Sequence, residues 1–286
     1  MLALQLLING LVTGSALGVV AVSFSLVFST AKIFHVAHAG VYTMAGYLAW
    51  TLTTRGVPSL LALVFVVLIC AAVGALIEHQ LYDRLKQRNA THLVVLIASI
   101  GLLAVMQNTI SAVYTPNILQ FPLPWTSEVV SLGNIRLTWS QILTVGLSLL
   151  AYAAIVFVAN RTILGKRIRA VASNPFLAEI TRLEPRKVYV HVIAIASALV
   201  ALPGVMVPLD LGLQPYGGLT PLLTATIAMI AGGVGSLHGA YILAIAIALM
   251  QNLCLLVIPG EWSIGVTFFI FVFFMLFRPT GLFTRH

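Results

Sequence analysis

The amino-acid sequence predicts an all-α polytopic membrane protein with about nine transmembrane helices in a single domain, residues 1–286. Hydrophobic residues make up 60% of the chain and charged residues only 8%, against about 25% in an ordinary soluble domain. The 15 basic and 7 acidic side chains are too few to cover the surface of a soluble protein of 286 residues. Composition therefore excludes a soluble enzyme, and it excludes a disordered chain, which needs low hydrophobicity and high charge.

Long stretches without charge mark the individual helices, because a helix needs about 20 apolar residues to cross the hydrocarbon layer. Strands of a membrane barrel would instead give short segments of alternating polarity. The predicted spans are 5–30, 38–54, 58–80, 92–114, 139–160, 188–208, 219–232, 238–258 and 262–278. The seventh span is short and has glycines at both ends, which leaves open a broken or re-entrant helix near 219–236.

The distribution of basic residues predicts the orientation, because cytoplasmic loops carry an excess of Lys and Arg. If the loop 161–187 is cytoplasmic, alternation of the spans leaves only Arg55 and Arg136 on the other side. The residues on the cytoplasmic side are Lys32, Arg84, Lys86, Arg88, Arg161, Lys166, Arg167, Arg169, Arg182, Arg186, Lys187, Arg278 and Arg285. The N-terminus is then outside and the C-terminus cytoplasmic. The net charge of +8 therefore reports orientation rather than nucleic-acid binding.

The chain lacks the motifs of an enzyme. Gly165-Lys166 is followed by Arg167, where an ATP-binding loop would carry Ser or Thr to hold magnesium. Glu78-His79 is followed by no second histidine at zinc spacing, and no charged residue lies deep inside a predicted span. We therefore expect a transport protein without a cofactor, metal or ATPase site of its own. Such a protein either takes energy from a partner or works as a passive channel.

Polar residues interrupt the apolar runs at two places. His35 and His38 stand where the first two runs meet, in the segment 34–40. They either mark an interrupted helix beside a polar path or belong to an interfacial loop in which they bond to carbonyl groups. The adjacent amides Gln107 and Asn108, in the fourth span, either line a path or bond between helices.

The loop 161–187 is the longest predicted cytoplasmic connection and carries seven of the 15 basic residues. Asn174 suits a helix N-cap, and Pro175 suits the first position of that helix. Phe176, Ile180 and Leu183 then share one face at spacings of four and three residues. A short amphipathic helix of this kind either docks onto a soluble partner or lies on the lipid surface.

A glycine-rich segment, Gly232–Ala240, follows the seventh predicted span. Glycines this dense permit a plain tight turn or a very close approach of two helices. The segment matches a form that is common to one family of permeases, Gly-Gly-x-Gly-Ser-x-x-Gly-Ala.

That family is the LivH-type permeases of branched-chain amino-acid ABC importers, which also includes relatives for urea and short amides. The chain resembles it nearly end to end. The further matching segments are 7–11, Gly14-Ser15, Ala37-His38, 46–49, Gly165, 169–172, Asn174-Pro175, Ala178, 197–199 and 278–283. Around His38 the family commonly reads Asn-Phe-Ala-His-Gly and then an acidic residue. Here His35 stands for the Asn, Ala39 for the Gly and Gly40 for the acid.

The resemblance implies a subunit of a bacterial inner-membrane importer that works by alternating access. Its solute would be a branched-chain amino acid or a related small amino acid or amide. The implied partners are a second, related permease, two cytoplasmic ATPase subunits that bind ATP and Mg, and a periplasmic substrate-binding protein. The alternative is a passive channel or permease for urea or another small neutral solute.

The resemblance also implies roles for individual residues. The loop 161–187 becomes the segment that couples the permease to an ATPase. Its expected coupling residues are Arg169, Asn174, Pro175, Phe176, Ala178, Glu179 and Ile180. The expected residues of the substrate pathway are His35, His38, Gln107, Asn108, Gly232, Gly233 and Gly235. The histidines lead this set, since neutral imidazole both donates and accepts hydrogen bonds.

Overall fold

Continuous apolar runs fold as helices because a membrane offers no water to free backbone groups, and a helix satisfies them within its own segment. The computed structural model describes residues 2–133, 135–278 and 281–283, which contain twelve α-helices and a β-hairpin. The helices are α1 (Leu2–Ala31), α2 (His38–Thr54), α3 (Ser59–Ile77), α4 (Asp83–Gln87), α5 (His92–Tyr114), α6 (Trp139–Arg161), α7 (Ile163–Ser173), α8 (Pro175–Ile180), α9 (Pro185–Leu211), α10 (Leu219–Gly232), α11 (Leu237–Cys254) and α12 (Ser263–Phe277). The strands are β1 (Val129–Leu132) and β2 (Ile135–Thr138).

Seven segments in the described ranges are long and apolar enough to cross a membrane, so the chain is a mainly helical, multi-pass membrane protein. They are Leu2–Ala31, Ser59–Gln87, His92–Tyr114, Trp139–Arg161, Pro185–Leu211, Leu237–Cys254 and Gly260–Phe277. The other two predicted spans form α2, with 17 residues, and α10, with 14. At about 1.5 Å per residue, both are shorter than the hydrocarbon layer of roughly 30 Å. Nine crossings therefore stay a prediction, as does a re-entrant α10, which is continuous from Leu219 to Gly232.

The predicted end of the third span was wrong, because the helix does not stop at residue 80. α3 continues through a π-helical turn, Glu78–Tyr82, into α4 and ends at Gln87. Glu78 is fully buried and pairs with Lys86 at 2.7 Å, while the buried Asp83 pairs with Arg186 of α9. Because each buried carboxylate has a basic partner, the helix carries charge beyond the apolar run.

The connection between α5 and α6 departs from the predicted all-α class. β1 and β2 pair antiparallel, with Val129 opposite Thr138. Gly133 follows β1 with a φ of +64°, which a residue without a Cβ atom adopts without strain. The β-branched residues in both strands favour extended backbone. The predicted spans leave residues 115–138 as a connection, because the lengths of apolar runs say nothing about how the chain between two helices pairs.

Close packing of α1 against α11 forms the centre of the helix bundle. Gly10, Gly14 and Gly18 lie on the side of α1 that faces Leu249, Ile245 and Tyr241 of α11. A Cβ atom on Gly14 would lie 2.8 Å from the Cα atom of Ile245. Small residues at such spacing let helix backbones approach closely, which favours helix association in lipid, where burial of apolar surface gives little gain. We call this contact the glycine seam.

Three connections that carry basic residues and the turn between α10 and α11 meet at one end of the bundle, which we call the basic end. It comprises the connection 32–37, the segment 78–91, the loop 161–187 and the turn between α10 and α11. His35 contacts Tyr82, and the ammonium group of Lys86 lies 4.0 Å from the centre of the Tyr189 ring. These segments are predicted on the same side of the membrane. Arg285, which is predicted there too, lies outside the described residues, as do Pro279 and Thr280.

The opposite end is held together around Asp210, at the end of α9. Its carboxylate accepts hydrogen bonds from Ser140 Oγ at 3.1 Å and from Gln141 Nε2 at 2.9 Å, both at the start of α6. Gln5 of α1 donates to the carbonyl of Arg136 in β2 at 2.8 Å. The hairpin and the starts of α1 and α6 therefore close this end together with α9.

Replacing Gly14 tests the glycine seam. We expect Gly14→Ala to destabilise the protein by about 1–3 kcal/mol, because the new methyl group would press on the backbone of Ile245. Thermal unfolding of the detergent-solubilised protein would show this as a lower midpoint. Gly101→Ala in α5 is the matched control, since a Cβ atom there meets nothing within 4 Å. Equal midpoints for Gly14→Ala and the parent protein would contradict the seam.

Candidate functional site

A buried polar network joins the α1–α2 connection to α3 and α5. His35 Nδ1 lies 2.6 Å from the Tyr82 hydroxyl, and that hydroxyl donates to Ser99 Oγ at 2.7 Å. Ser99 Oγ also accepts the backbone N–H of Ala37 at 3.0 Å. The side chains of His35, Tyr82 and Ser99 are fully buried, and burial lowers the pKa of His35 to about 3. The imidazole of His35 is therefore neutral at physiological pH.

His38 extends this network toward α1. Its Nε2 atom lies 2.8 Å from Ser23 Oγ, and its ring centre lies 5.3 Å from that of His35. His35 Nε2 and His38 Nδ1 are buried without a hydrogen-bond partner among the described residues. The structure thus brings the two predicted pathway histidines together, but in a closed setting where they bond to side chains of neighbouring helices rather than to carbonyl groups. Their role in a pathway stays a prediction.

The adjacent amides of α5 point to different surroundings, because successive residues of a helix are about 100° apart. Gln107 is 7% exposed, and its Nε2 atom has no partner within the described ranges. Asn108 is exposed, donates to the carbonyl of Ala104 at 2.8 Å and accepts from the Tyr216 hydroxyl at 3.3 Å. Asn108 therefore bonds α5 to the segment that precedes α10.

The predicted pathway glycines Gly232, Gly233 and Gly235 form a tight turn at the basic end. Gly233 and Gly235 have φ values of +105° and +89°, so the turn requires glycine at both positions. A Cβ atom on Gly232 would lie 2.4 Å from the backbone of Gly239, so the ends of α10 and α11 are in close contact. Phe283 N–H donates to the carbonyl of Gly232 at 3.1 Å, which closes the turn from the C-terminal side.

The loop 161–187 folds into two short helices whose start signals are side-chain caps. Thr162 accepts the N–H of Gly165 at 3.1 Å to begin α7, and Asn174 accepts the N–H of Leu177 at 3.1 Å to begin α8. The predicted helix start at Asn174-Pro175 is confirmed. Phe176 and Ile180 are exposed on α8, whereas Leu183 is only partly so because it packs against the core.

The prediction that Ala178 contacts a partner was wrong, because its side chain is buried inside this subunit. Only 4% of Ala178 is exposed, because α8 packs against α7 and α9 on that side. Glu179 is exposed, and the guanidinium group of Arg169 donates to the carbonyl of Ala159 near the end of α6. Four exposed apolar side chains remain on α7 and α8, and we call this set of residues the docking surface. It consists of Ile163, Phe176, Leu177 and Ile180.

A cavity of about 400 Å³ lies between the helices toward the opposite end, and the sequence did not predict it. Its lining residues come from α1, α2, α9, α10, α11 and the segment that begins α12. They are Thr13, Ala16, Leu17, Val20, Tyr42, Pro203, Val207, Leu211, Thr220, Pro221, Thr224, Gln251, Asn252, Leu255, Gly260, Ser263 and Ile264. Single hydroxyls and amides in apolar helices give no local signal, and only the fold brings these together.

The side chains that line the cavity are uncharged among the described residues. Apolar side chains form most of its wall, and none of the lining residues within the described ranges carries a formal charge. In the same ranges, no three His, Cys, Asp or Glu side chains are grouped so that they could hold a metal ion. The arrangement can therefore accept a small solute through hydroxyl and amide groups.

Comparison with known proteins agrees with this architecture. The permease protein BraD of the high-affinity branched-chain amino acid transport system of Pseudomonas aeruginosa is 25% identical, over 99% of this chain and 96% of its own. The corresponding permease protein LivH of Escherichia coli K12 is 26% identical over the same shares. A chain of the solved PsaBC structure from Streptococcus pneumoniae, in complex with a Fab, superposes with a TM-score of 0.52. It is 14% identical and covers 95% of this chain and 91% of its own, which shows the fold alone.

The family comparison covers nearly the whole transmembrane region. The family described as "Branched-chain amino acid transport system / permease component" matches residues 6–275, from the start of α1 almost to the end of α12. The matched range includes the glycine seam, the docking surface and every lining residue of the cavity. The chain therefore belongs to the family of permease components of branched-chain amino acid transport systems.

Proposed function

We propose that this chain is a permease subunit of an ABC importer in a bacterial inner membrane, and that it carries branched-chain amino acids by alternating access. The docking surface at the basic end carries the proposal, together with family membership. A permease of such an importer needs a surface where a separate ATPase subunit binds and transmits its conformational change. Exposed apolar side chains beside basic residues suit such a site.

Buried residues on α7 and α8 anchor the docking surface to the helix bundle. α7 buries Ile168 and Val171 against the bundle, and the buried Ala178 fixes α8 against its neighbours. Phe176, Leu177 and Ile180 are each more than half exposed, so they project from a supported helix rather than cover the permease core. This packing favours a protein partner over a lipid surface. A partner that moves α8 would also move the helices to which α8 is attached.

Both ends of the loop 161–187 are joined to long helices. Arg169 is bonded to the end of α6, and Arg186, near the start of α9, pairs with Asp83 in the segment that continues α3. A movement of the docking surface would therefore tilt α6 and α9 and shift α3 with them. Rigid-body motion of packed helices of this kind is the ordinary means by which access switches between two faces.

Membership of a family of transport-system permeases supports a set of partners for the proposed importer. Two ATPase subunits supply ATP hydrolysis with their own Mg, a second related permease completes the membrane part, and a periplasmic binding protein delivers the solute. The relatives BraD and LivH are named for branched-chain amino acid transport, which supports leucine, isoleucine and valine as the solutes. The loop 161–187 is the coupling segment, with Phe176 and Ile180 as its central contacts.

Replacing Phe176 tests the coupling role. We expect Phe176→Asp to lower ATP-dependent leucine uptake at least tenfold, because an unpaired charge in a desolvated contact costs roughly 2–5 kcal/mol. Uptake would be measured in proteoliposomes that contain the complete transporter and the binding protein. Phe176→Leu is the matched control, since it keeps an apolar side chain, and its uptake should stay close to that of the parent.

Unchanged ATP-dependent leucine uptake by Phe176→Asp would contradict the coupling role of Phe176. Leucine flux that proceeds at the parent rate without ATP would instead favour a passive channel. Co-purification of the ATPase subunits with each variant separates loss of docking from loss of folding, because a misfolded permease would also be lost from the membrane fraction.

A further inference from the structure

Two hydroxyl groups at the cavity wall have no hydrogen-bond partner among the described residues. Tyr42 of α2 and Thr224 of α10 are each only 5% exposed, and both line the cavity. Neither hydroxyl forms a hydrogen bond with another residue in the described ranges. Neither hydroxyl oxygen is sealed off by surrounding protein atoms, so both can bond to a molecule inside the cavity.

Neighbouring hydroxyls on the same helices do find partners. Thr43 of α2 donates to the carbonyl of Ala39 at 3.0 Å, and Thr226 of α10 donates to the carbonyl of Leu222 at 2.8 Å. Thr226 is 6% exposed, as buried as Thr224 two residues before it. Burial alone therefore does not leave a threonine unpaired on α10, and the difference is that Thr224 faces the cavity.

Hydrogen-bond acceptors line another part of the same cavity. Asn252 Nδ2 donates to Thr13 Oγ1 at 3.2 Å and to the carbonyl of Ala248 at 2.9 Å. Gln251 uses its amide nitrogen in the same way, toward Thr267. Both amide nitrogens already donate to protein atoms. The side-chain oxygens of Gln251 and Asn252 can therefore accept hydrogen bonds from a bound molecule.

The walls between donors and acceptors are aliphatic. Leu17, Val20, Val207 and Ile264 are among the residues that line them. The volume of about 400 Å³ lies in the usual range for small-molecule sites, roughly 300–1,000 Å³. Because a net charge would be buried here without a counter-charge, a solute with a charged side chain is disfavoured.

We propose that this cavity binds the transported solute, an amino acid with a branched aliphatic side chain. The hydroxyls of Tyr42 and Thr224 donate to its carboxylate, the amide oxygens of Gln251 and Asn252 accept from its ammonium group, and the aliphatic wall receives the side chain. This inference rests on the proposed function and adds to it a specific solute site within this subunit.

Thiol protection tests the site directly. In the complete transporter, with Cys70 and Cys254 replaced by Ala, Thr224→Cys should react with a small neutral maleimide, and leucine should slow that reaction severalfold. Arginine or glutamate at the same concentration should not slow it. Thr226→Cys is the matched control, because that position does not line the cavity, and leucine should leave its labelling rate unchanged.

Removal of the hydroxyls gives a second, independent readout. We expect Thr224→Val and Tyr42→Phe each to lower the leucine uptake rate about fivefold at saturating binding protein, the effect of losing one hydrogen bond. Thr226→Val should keep the parent rate. The cavity assignment is overturned if leucine does not slow the labelling of Thr224→Cys and both hydroxyl variants match the parent. Failure of the parent transporter itself to import leucine would instead overturn the proposed function.

Discussion

The close contact between α1 and α11 is the constraint on which the rest of the structure depends. Gly10 and Gly14 bring the α1 backbone against the backbone of α11, and Gly18 leaves room for the Tyr241 ring of α11. α1 can then present its neighbouring face, with Thr13 and Ala16, to the cavity. A wider spacing of α1 and α11 would separate Thr13 from Asn252 and open the cavity to its surroundings.

The two ends of the bundle have separate tasks that the same helices connect. Most basic residues lie at the basic end, where the ion pair of Asp83 and Arg186 joins α9 to the helix that continues α3. The cavity near the opposite end is mainly apolar, and the polar side chains among its described lining residues are all neutral. α9 begins beside the docking surface and ends at the cavity wall, so energy supplied by another chain can reach the solute through it.

Features that depend on local chemistry could be predicted from the sequence, and features that depend on distant partners could not. Charge-free runs marked helices, and Asn174-Pro175 marked the start of α8, because each signal lies within a few residues. The helix beyond Glu78 was missed because Asp83 there is paired by Arg186, which lies far along the chain. Tyr42 and Thr224 were missed because each is an ordinary residue until the fold brings both to one cavity.

The most direct test of the account is a cryo-electron microscopy structure of the assembled transporter with leucine. We expect solute density between Tyr42 and Thr224 on one side and Asn252 on the other, with α1 and α11 still in contact at Gly14. Solute density only outside this cavity, or a cavity filled by lipid or by protein side chains, would contradict it.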